Sequence, residues 1–202
     1  MTNTQKYSGL ARLGLIASIW IFITLVLNLV SAQQQNEEQN KADISRAAFE
    51  KAYKVFIHPR CLNCHPTGSA PLQSDKSIPH AMRVQGGKNG KGIPGMKCTA
   101  CHQKTNGIGK HMPPGAPNWH LPHPSMPLVF QGKTAGQLAK QLKDPKHNGG
   151  KTLEQIFEHV SSDPLVLWGW NPGKGRTKPP LSHKEFVHYM KIWIENGAVA
   201  PK

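Results

Sequence analysis

All four cysteines of this chain lie in two copies of one pentapeptide, Cys-x-x-Cys-His, at residues 61–65 and 98–102. In this pattern each thiol can form a thioether with a vinyl group of one haem, and the adjacent histidine can reach the haem iron. The sequence therefore predicts two covalently attached haems of the c type. The expected attachment residues are Cys61, Cys64, Cys98 and Cys101, and the expected proximal iron ligands are His65 and His102.

Other uses of four cysteines agree less well with this spacing. The two Cys-x-x-Cys pairs of a zinc ribbon are usually about 15–20 residues apart, whereas 33 residues separate Cys64 from Cys98. Zinc binding also does not account for a histidine directly after both pairs. No βαβ pattern surrounds either pair, as a thioredoxin-like site would require. Haem attachment is the favoured interpretation, and zinc, a redox dithiol and two short disulfides are the alternatives.

The second axial ligand of each iron decides whether a haem carries electrons or binds a substrate. For the second haem the favoured distal ligand is Met112, which precedes two prolines in a loop similar to the distal loop of small monohaem cytochromes c. His111 and His120 are the alternatives there. For the first haem the favoured distal ligand is His80, and Met82 is the alternative.

These ligands predict a direction for internal electron transfer. Thioether ligation by Met112 favours reduced iron, whereas a second imidazole from His80 does not. The first haem is therefore expected to have the lower potential and to pass electrons to the second haem.

The N-terminus indicates export. Lys6 and Arg12 precede an apolar run, residues 13–30, which ends in small residues at Ala32. This pattern is typical of a signal peptide over residues 1–32, but the run is long enough to act as an uncleaved membrane anchor. A periplasmic location agrees with haem c, which bacteria attach outside the cytoplasm. Residues 33–43 are polar and without pattern, and they are expected to form a flexible leader.

The chain is strongly basic, with 25 Lys and Arg against 11 Asp and Glu and a formal net charge of +14. Without residues 1–32 the charge is +12, because only Lys6 and Arg12 are removed. Such a charge favours docking to an acidic surface on a redox partner. Export argues against a nucleic-acid partner, and so does the scatter of basic residues along the chain.

Only the first motif follows a predicted helix. From Asp43 onward, Phe49, Tyr53 and Phe56 recur at helical spacing and lead to the first motif. The segment before the second motif, residues 85–97, is rich in glycine and is predicted to be a loop. Two separate haem lobes are therefore not expected, and residues 44–202 are predicted to form one dihaem domain.

About four helices are predicted in total, which makes the fold class mainly α. The three later helices are marked by capping residues at their starts: Thr134, Thr152 and Ser182. Gly197 is placed to end the last helix. Long loops rich in Pro and Gly, including residues 112–127 and 168–180, are expected to wrap around the two haems. The expected architecture is a single cytochrome c-like domain.

Four stretches of the chain carry a more specific resemblance: residues 56–66, 79–82, 111–120 and 168–173. They resemble a family of small bacterial dihaem c-type cytochromes that is often called isoquinoline 1-oxidoreductase subunit. The resemblance spans roughly residues 48–198. The last predicted helix is also similar to the closing helix of many cytochrome c domains.

The resemblance implies a cytochrome that takes electrons from a periplasmic molybdenum-containing hydroxylase or aldehyde dehydrogenase and passes them to the respiratory chain. The sequence contains no flavin or nicotinamide fingerprint and no further cysteines for an iron–sulfur cluster. The chain is therefore expected to be an electron carrier and not an enzyme. The alternatives are a small dihaem peroxidase with one open haem and a haem-based sensor or binding subunit.

Overall fold

The computed structural model describes the backbone of residues 5–202 and the side chains of residue 20 and residues 22–202. This part of the chain is mainly α-helical, as predicted. Its helices are α1 (Gln5–Phe56), α2 (Pro59–Leu62), α3 (Ala135–Lys143), α4 (Leu153–Ser162), α5 (Pro164–Leu167) and α6 (His183–Glu195). Its strands form two antiparallel hairpins: β1 (Leu72–Gln73) with β2 (Ile78–Pro79), and β3 (Gly92–Ile93) with β4 (Met96–Lys97). Short 3₁₀ turns occur at Ala81–Arg83, Cys98–Ala100 and Trp168–Trp170.

The chain divides into two compact units, Met1–Lys41 and Ala42–Lys202. The predicted signal peptide or anchor, residues 1–32, lies largely outside the residues whose side chains are described. Within the described residues, no helix has a stretch that is long and apolar enough to cross a membrane. Residues 33–43 were expected to be a flexible leader, but they are helical and belong to α1. The reason is composition, since Gln, Glu, Lys and Ala favour helix even without an apolar face.

The core of the second unit forms where the C-terminal part of α1 meets α6. The rings of Phe49 and Trp193 have centroids 4.7 Å apart, and both side chains are fully buried. The buried Ser45 hydroxyl donates to the Trp193 carbonyl and accepts from the Val199 N–H, both at 2.9 Å. These bonds satisfy the hydroxyl and hold the chain that follows α6. Helix α4 packs against α6, and α3 packs against α4.

The predicted helix ends are confirmed in this unit. Each cap hydroxyl accepts a hydrogen bond from the backbone N–H three residues later, at Thr134, Thr152 and Ser182. Gly197, at φ +92°, ends α6 and donates its N–H to the Ile194 carbonyl at 3.1 Å. The Ala198 N–H donates to the Trp193 carbonyl at 2.8 Å, which completes a glycine-dependent helix end.

Two short helices, α2 and α5, are absent from the sequence prediction. Asp163 ends α4, and its carboxylate also starts α5. It accepts hydrogen bonds from the N–H groups of Leu165 and Val166, and Pro164 occupies the first helical position. A helix of a single turn has no hydrophobic period, so periodicity cannot reveal it.

Two small hairpins lie between the motifs. The β1–β2 hairpin ends directly before His80, whose N–H donates to the Pro71 carbonyl at 3.2 Å. The β3–β4 hairpin lies in residues 85–97, which are otherwise irregular, as predicted, and it ends directly before Cys98. The first motif instead follows α1 and includes the end of α2, so the two motifs are held by different kinds of element.

Candidate functional site

Both Cys-x-x-Cys-His motifs fold as a tight turn. In the first motif the Cys64 N–H donates to the Cys61 carbonyl at 3.1 Å, and in the second the Cys101 N–H donates to the Cys98 carbonyl at 3.2 Å. Side chains three residues apart on such a turn lie on the same side. None of the four cysteines forms a disulfide. Each motif therefore presents two free thiols next to a histidine.

Arg60, directly before Cys61, holds the first motif in place. Its side chain is 2 % exposed and forms an ion pair with Asp75. The Asp75 carboxylate also accepts the Thr177 N–H at 3.0 Å, and the Arg60 guanidinium lies 5.9 Å from the ring centre of Trp168. These contacts join α2 to the loop before α6.

His65 is the histidine of the first motif. Its Nδ1 lies 2.6 Å from the Leu128 carbonyl oxygen, and its ring stacks on Phe130 with centroids 3.9 Å apart. Burial lowers the pKa of His65 to about 4, against a smaller opposing effect of the Leu128 carbonyl. The imidazole is therefore neutral at pH 7, donates through Nδ1 and keeps a lone pair on Nε2. This is the form of histidine that binds a metal.

The second motif has the same arrangement. His102 Nδ1 lies 2.8 Å from the Pro114 carbonyl oxygen, and its ring stacks on Trp119 at 4.2 Å with an interplanar angle of 6°. Burial lowers the pKa of His102, and the Pro114 carbonyl opposes the shift. Among the described residues, no hydrogen bond reaches Nε2 of His65 or His102. Both histidines therefore keep that nitrogen for a ligand.

A cavity of about 270 Å³ lies beside the first motif. Its walls include Cys64, His65, Leu121 and Leu128, and prolines and glycines supply most of the rest. Burial raises the pKa of Cys61 to about 12 and that of Cys64 to about 11, so both thiols are protonated. An apolar cavity with a free thiol and a neutral imidazole in its wall is chemically suited to covalent attachment and ligation of a haem.

The two motifs are close enough to interact electrostatically. Burial raises the pKa of Cys64 most, and the negative charge of a Cys98 thiolate raises it further. The loop between the motifs contacts both sites, because Gly86 lines the cavity beside the first motif and the Lys91 carbonyl accepts the Cys98 N–H at 3.2 Å. The Leu121 N–H also donates to the Gly90 carbonyl at 2.8 Å. A Cβ atom on Gly90 would lie 2.2 Å from the Leu121 carbonyl oxygen, so this contact requires glycine.

Met112, the predicted distal ligand of the second haem, has its side chain turned over its own loop. Its side chain is 49 % exposed and folds back over Gly109, and its carbonyl accepts a hydrogen bond from Arg176. Two residues later, the carbonyl oxygen of Pro114 lies 2.8 Å from Nδ1 of His102. The Met112 side chain therefore packs against its own loop, beside Gly107 and Gly109.

The two alternatives for the second haem, His111 and His120, differ in their surroundings. His111 is exposed, and its imidazole lies directly over Gly175. Burial lowers the pKa of His159, and a positive charge on His120 lowers it slightly more. Burial likewise lowers the pKa of His65, and a positive charge on His159 adds to that shift. In the chain His120 lies between Trp119, whose ring stacks on His102, and Leu121, which lines the cavity beside the first motif. His159, a half-buried residue of α4, has no signal in the sequence that marks it as a site residue.

Of the two predicted distal ligands of the first haem, His80 lies near the second motif. The rings of His80 and His102 have centroids 6.1 Å apart, with planes at 62°. A positive charge on His80 also contributes to the lowered pKa of His102. Met82 is 71 % exposed and has a φ of 61°. The structure thus places His80 at the second motif, whereas the sequence assigned it to the first.

Asn106 is a connecting residue that the sequence did not single out. Its Oδ1 accepts the Gly115 N–H and the Trp168 Nε1–H, both at 3.1 Å, and its Nδ2 donates to the Asn171 carbonyl at 2.7 Å. These bonds hold the loop that presents the Pro114 carbonyl to the second motif. An asparagine in a glycine-rich loop is too common a pattern to be recognised from the sequence.

Compared with models of known protein families, with curated proteins and with solved structures, the chain matches none. Within the described residues, no group of three or more His, Cys, Asp or Glu is placed to hold a metal ion. Haem needs no such group, because the porphyrin holds the iron and the protein supplies only its axial ligands. A functional interpretation therefore depends on the chemistry of the two motifs.

Proposed function

We propose that this chain is an exported dihaem c-type cytochrome that transfers single electrons. The observation that carries the proposal is the matched surroundings of the two motifs. In each motif, free thiols adjoin a histidine whose Nδ1 pairs with a backbone carbonyl and whose ring is covered by an aromatic side chain. The residues concerned are Cys61, Cys64 and His65 in the first motif and Cys98, Cys101 and His102 in the second.

The protein's part in this function is attachment, orientation and exclusion of water. When bound, haem supplies an iron that alternates between Fe(III) and Fe(II) and so carries one electron. The carbonyl partners of His65 and His102 fix the tautomer of each ring and increase its basicity. Phe130 and Trp119 restrict the rotation of the imidazoles and keep water from them. Two thioethers per haem would hold each macrocycle against these histidines.

Transfer between the two haems is supported by the closeness of their attachment sites. Gly90 connects them, because its carbonyl lies 3.9 Å from Cys98 Sγ and accepts the N–H of Leu121, which lines the cavity beside the first motif. Both motifs belong to the unit Ala42–Lys202. An electron taken up at one haem could then pass to the other without a change of partner.

The proposed partners follow from charge and from the resemblance to the dihaem cytochrome family. A formal charge of +12 outside residues 1–32 favours a donor and an acceptor with acidic docking surfaces. The resemblance suggests a molybdenum-containing hydroxylase or aldehyde dehydrogenase as the donor and a component of the respiratory chain as the acceptor. Residues 1–32 would direct the chain to the periplasm, either as a cleaved signal or as an anchor through residues 13–30.

The first test is a count of covalently bound haems. The full chain is produced in a bacterium that attaches haem c, and its mass and its reduced-minus-oxidised spectrum are measured. We expect the mass of two haems, one fewer in the variant Cys61→Ser/Cys64→Ser, and one fewer in the matched variant Cys98→Ser/Cys101→Ser. Purified protein that contains zinc or disulfides and no haem would overturn the proposal.

A second measurement separates the carrier from a peroxidase. We expect the reduced protein to pass electrons to an artificial acceptor and to turn over hydrogen peroxide no faster than free haem does. Rapid peroxide turnover at a high-spin haem would instead support the peroxidase alternative.

A further inference from the structure

The distance between the rings of His80 and His102 matches that of two histidines that bind one metal from opposite sides. Two histidines on opposite sides of one metal, with metal–nitrogen bonds of about 2 Å, have ring centroids about 6 Å apart. The observed separation is 6.1 Å. We infer that His80 is the distal ligand of the second haem iron, opposite His102. This inference rests on the proposed function.

Both imidazoles leave the same nitrogen free. His80 Nδ1 lies 2.9 Å from the Ala81 carbonyl oxygen, and His102 Nδ1 lies 2.8 Å from the Pro114 carbonyl oxygen. With Nδ1–H donated to a carbonyl, each ring keeps its lone pair on Nε2. A backbone carbonyl behind each ligand is the usual way to fix a metal-binding histidine.

The chain around His80 holds it in this position. The β1–β2 hairpin precedes it, and its N–H is bonded to the Pro71 carbonyl at 3.2 Å. The residues that follow are unusual, because Met82 and Arg83 both have positive φ, at 61° and 51°. Residues other than glycine adopt this conformation at an energetic cost, and such strain is concentrated at functional sites. The hairpin and the strained turn together direct His80 towards the second motif.

Two sides of His102 are occupied by other groups. The Pro114 carbonyl takes the Nδ1 edge, and Trp119 covers one face at 4.2 Å. The His80 ring is also close, with its plane at 62° to that of His102. The Met112 side chain is instead 49 % exposed and packs over Gly109.

Ligation by two imidazoles changes the expected order of the haem potentials. Thioether ligation favours reduced iron, so a second haem with His80 in place of Met112 has a lower potential than the sequence predicted. The reason for placing the higher potential at the second haem then disappears.

The test uses the haem-loaded full chain and reads the spin state and the axial ligands. The oxidised protein is examined by electron paramagnetic resonance and near-infrared dichroism, and the reduced protein is titrated with carbon monoxide. We expect His80→Ala to convert one of the two haems to a high-spin form that binds carbon monoxide. His80→Met should keep that haem low-spin, add a thioether band and raise its potential. The exposed loop residue His123 provides the matched control, and His123→Ala should change neither haem.

A second background identifies which haem responds. The variant Cys98→Ser/Cys101→Ser keeps only the first haem, and there His80→Ala should have no spectral effect. The inference is overturned if His80→Ala changes that haem, if it changes neither haem in the complete protein, or if Met112→Leu alone produces the high-spin form. A chain that holds no haem in any background would overturn the proposed function instead, so the two failures are distinguishable.

Discussion

At the scale of single residues, His65 and His102, the predicted proximal ligands, are oriented by partners that their sequence context does not indicate. Burial lowers the pKa of His65 to about 4, and a carbonyl oxygen from Leu128 takes its Nδ1 proton. Leu128 lies 63 residues away, in a loop whose path no local pattern determines. The sequence could therefore predict that this histidine binds iron, but it could not predict what orients it.

The Arg60–Asp75 pair gives a prediction at this scale. Asp75→Asn should destabilise the folded protein by about 1–2 kcal/mol at pH 7, because the buried guanidinium of Arg60 loses its counter-charge. The loss is limited to this size because the Asp75 carboxylate is partly exposed to solvent. Thermal unfolding as a function of pH measures the effect. The matched control is Glu158→Gln, which removes an exposed carboxylate and should change stability little.

The same pair has a defined pH dependence. Burial raises the pKa of Asp75, but the Thr177 N–H and the charge of Arg60 outweigh it and leave the pKa below its usual value. A lowered carboxyl pKa contributes stability that is fully present above the unfolded pKa of about 4 and is lost as the pH falls through the folded value. The difference between wild type and Asp75→Asn should therefore shrink in acid. An equal difference at pH 3 and pH 7 would contradict this assignment.

At the scale of elements, the long helices were predictable and the short ones were not. Capping residues such as Ser182 and the apolar face around Phe49 act within one or two turns, so the sequence alone identifies them. Helices α2 and α5 have a single turn each and carry no such period. His65 and His102 are held by carbonyls of loop residues. The stability of those loops depends on close contacts that are visible only in the folded chain.

Gly115 offers a prediction for one such loop. A Cβ atom there would lie 2.0 Å from the Thr105 carbonyl oxygen, so Gly115→Ala must displace the loop that presents Pro114 to His102. We expect a loss of stability of about 1–3 kcal/mol and a heterogeneous second haem, with the first haem unchanged. Redox titration of each haem and thermal unfolding measure these effects.

The control for Gly115→Ala is another buried glycine. A Cβ atom on Gly169 would meet its nearest neighbour, the Cβ atom of Arg60, at an ordinary 3.7 Å. Gly169→Ala should therefore leave the second haem homogeneous. Equal effects of the two substitutions would show that the second haem does not depend on the position of the Pro114 loop.

At the scale of the whole molecule, the charge of the chain gives a prediction about its reactions. An anionic oxidant should reoxidise the reduced protein at least about tenfold faster than a cationic oxidant of matched potential at low ionic strength. The net charge of +14 attracts the anionic oxidant and repels the cationic oxidant. Stopped-flow rates should converge as salt shortens the screening length from about 30 Å at 0.01 M to about 10 Å at 0.1 M. Equal rates at low salt would mean that the haem edges lie away from the positive surface.

The amino-acid sequence by itself determined the helical character of the chain, and it is the source of the proposal that haem is attached. The spacing of Cys61, Cys64 and His65 can be read directly from the sequence. Helix periodicity and helix caps depend on residues only a few positions apart. The single unit for both motifs also followed from the sequence, since the loop before Cys98 contains no helix.

Only the tertiary structure decided what surrounds each histidine. It brought His80 to the second motif, turned the Met112 side chain over Gly109, and made residues 33–43 part of α1. Position along the chain suggested His80 for the first haem because it lies between the two motifs. In the structure, the β1–β2 hairpin before His80 and the turn at Met82 after it place the imidazole at the second motif. No local sequence pattern predicts this path of the chain.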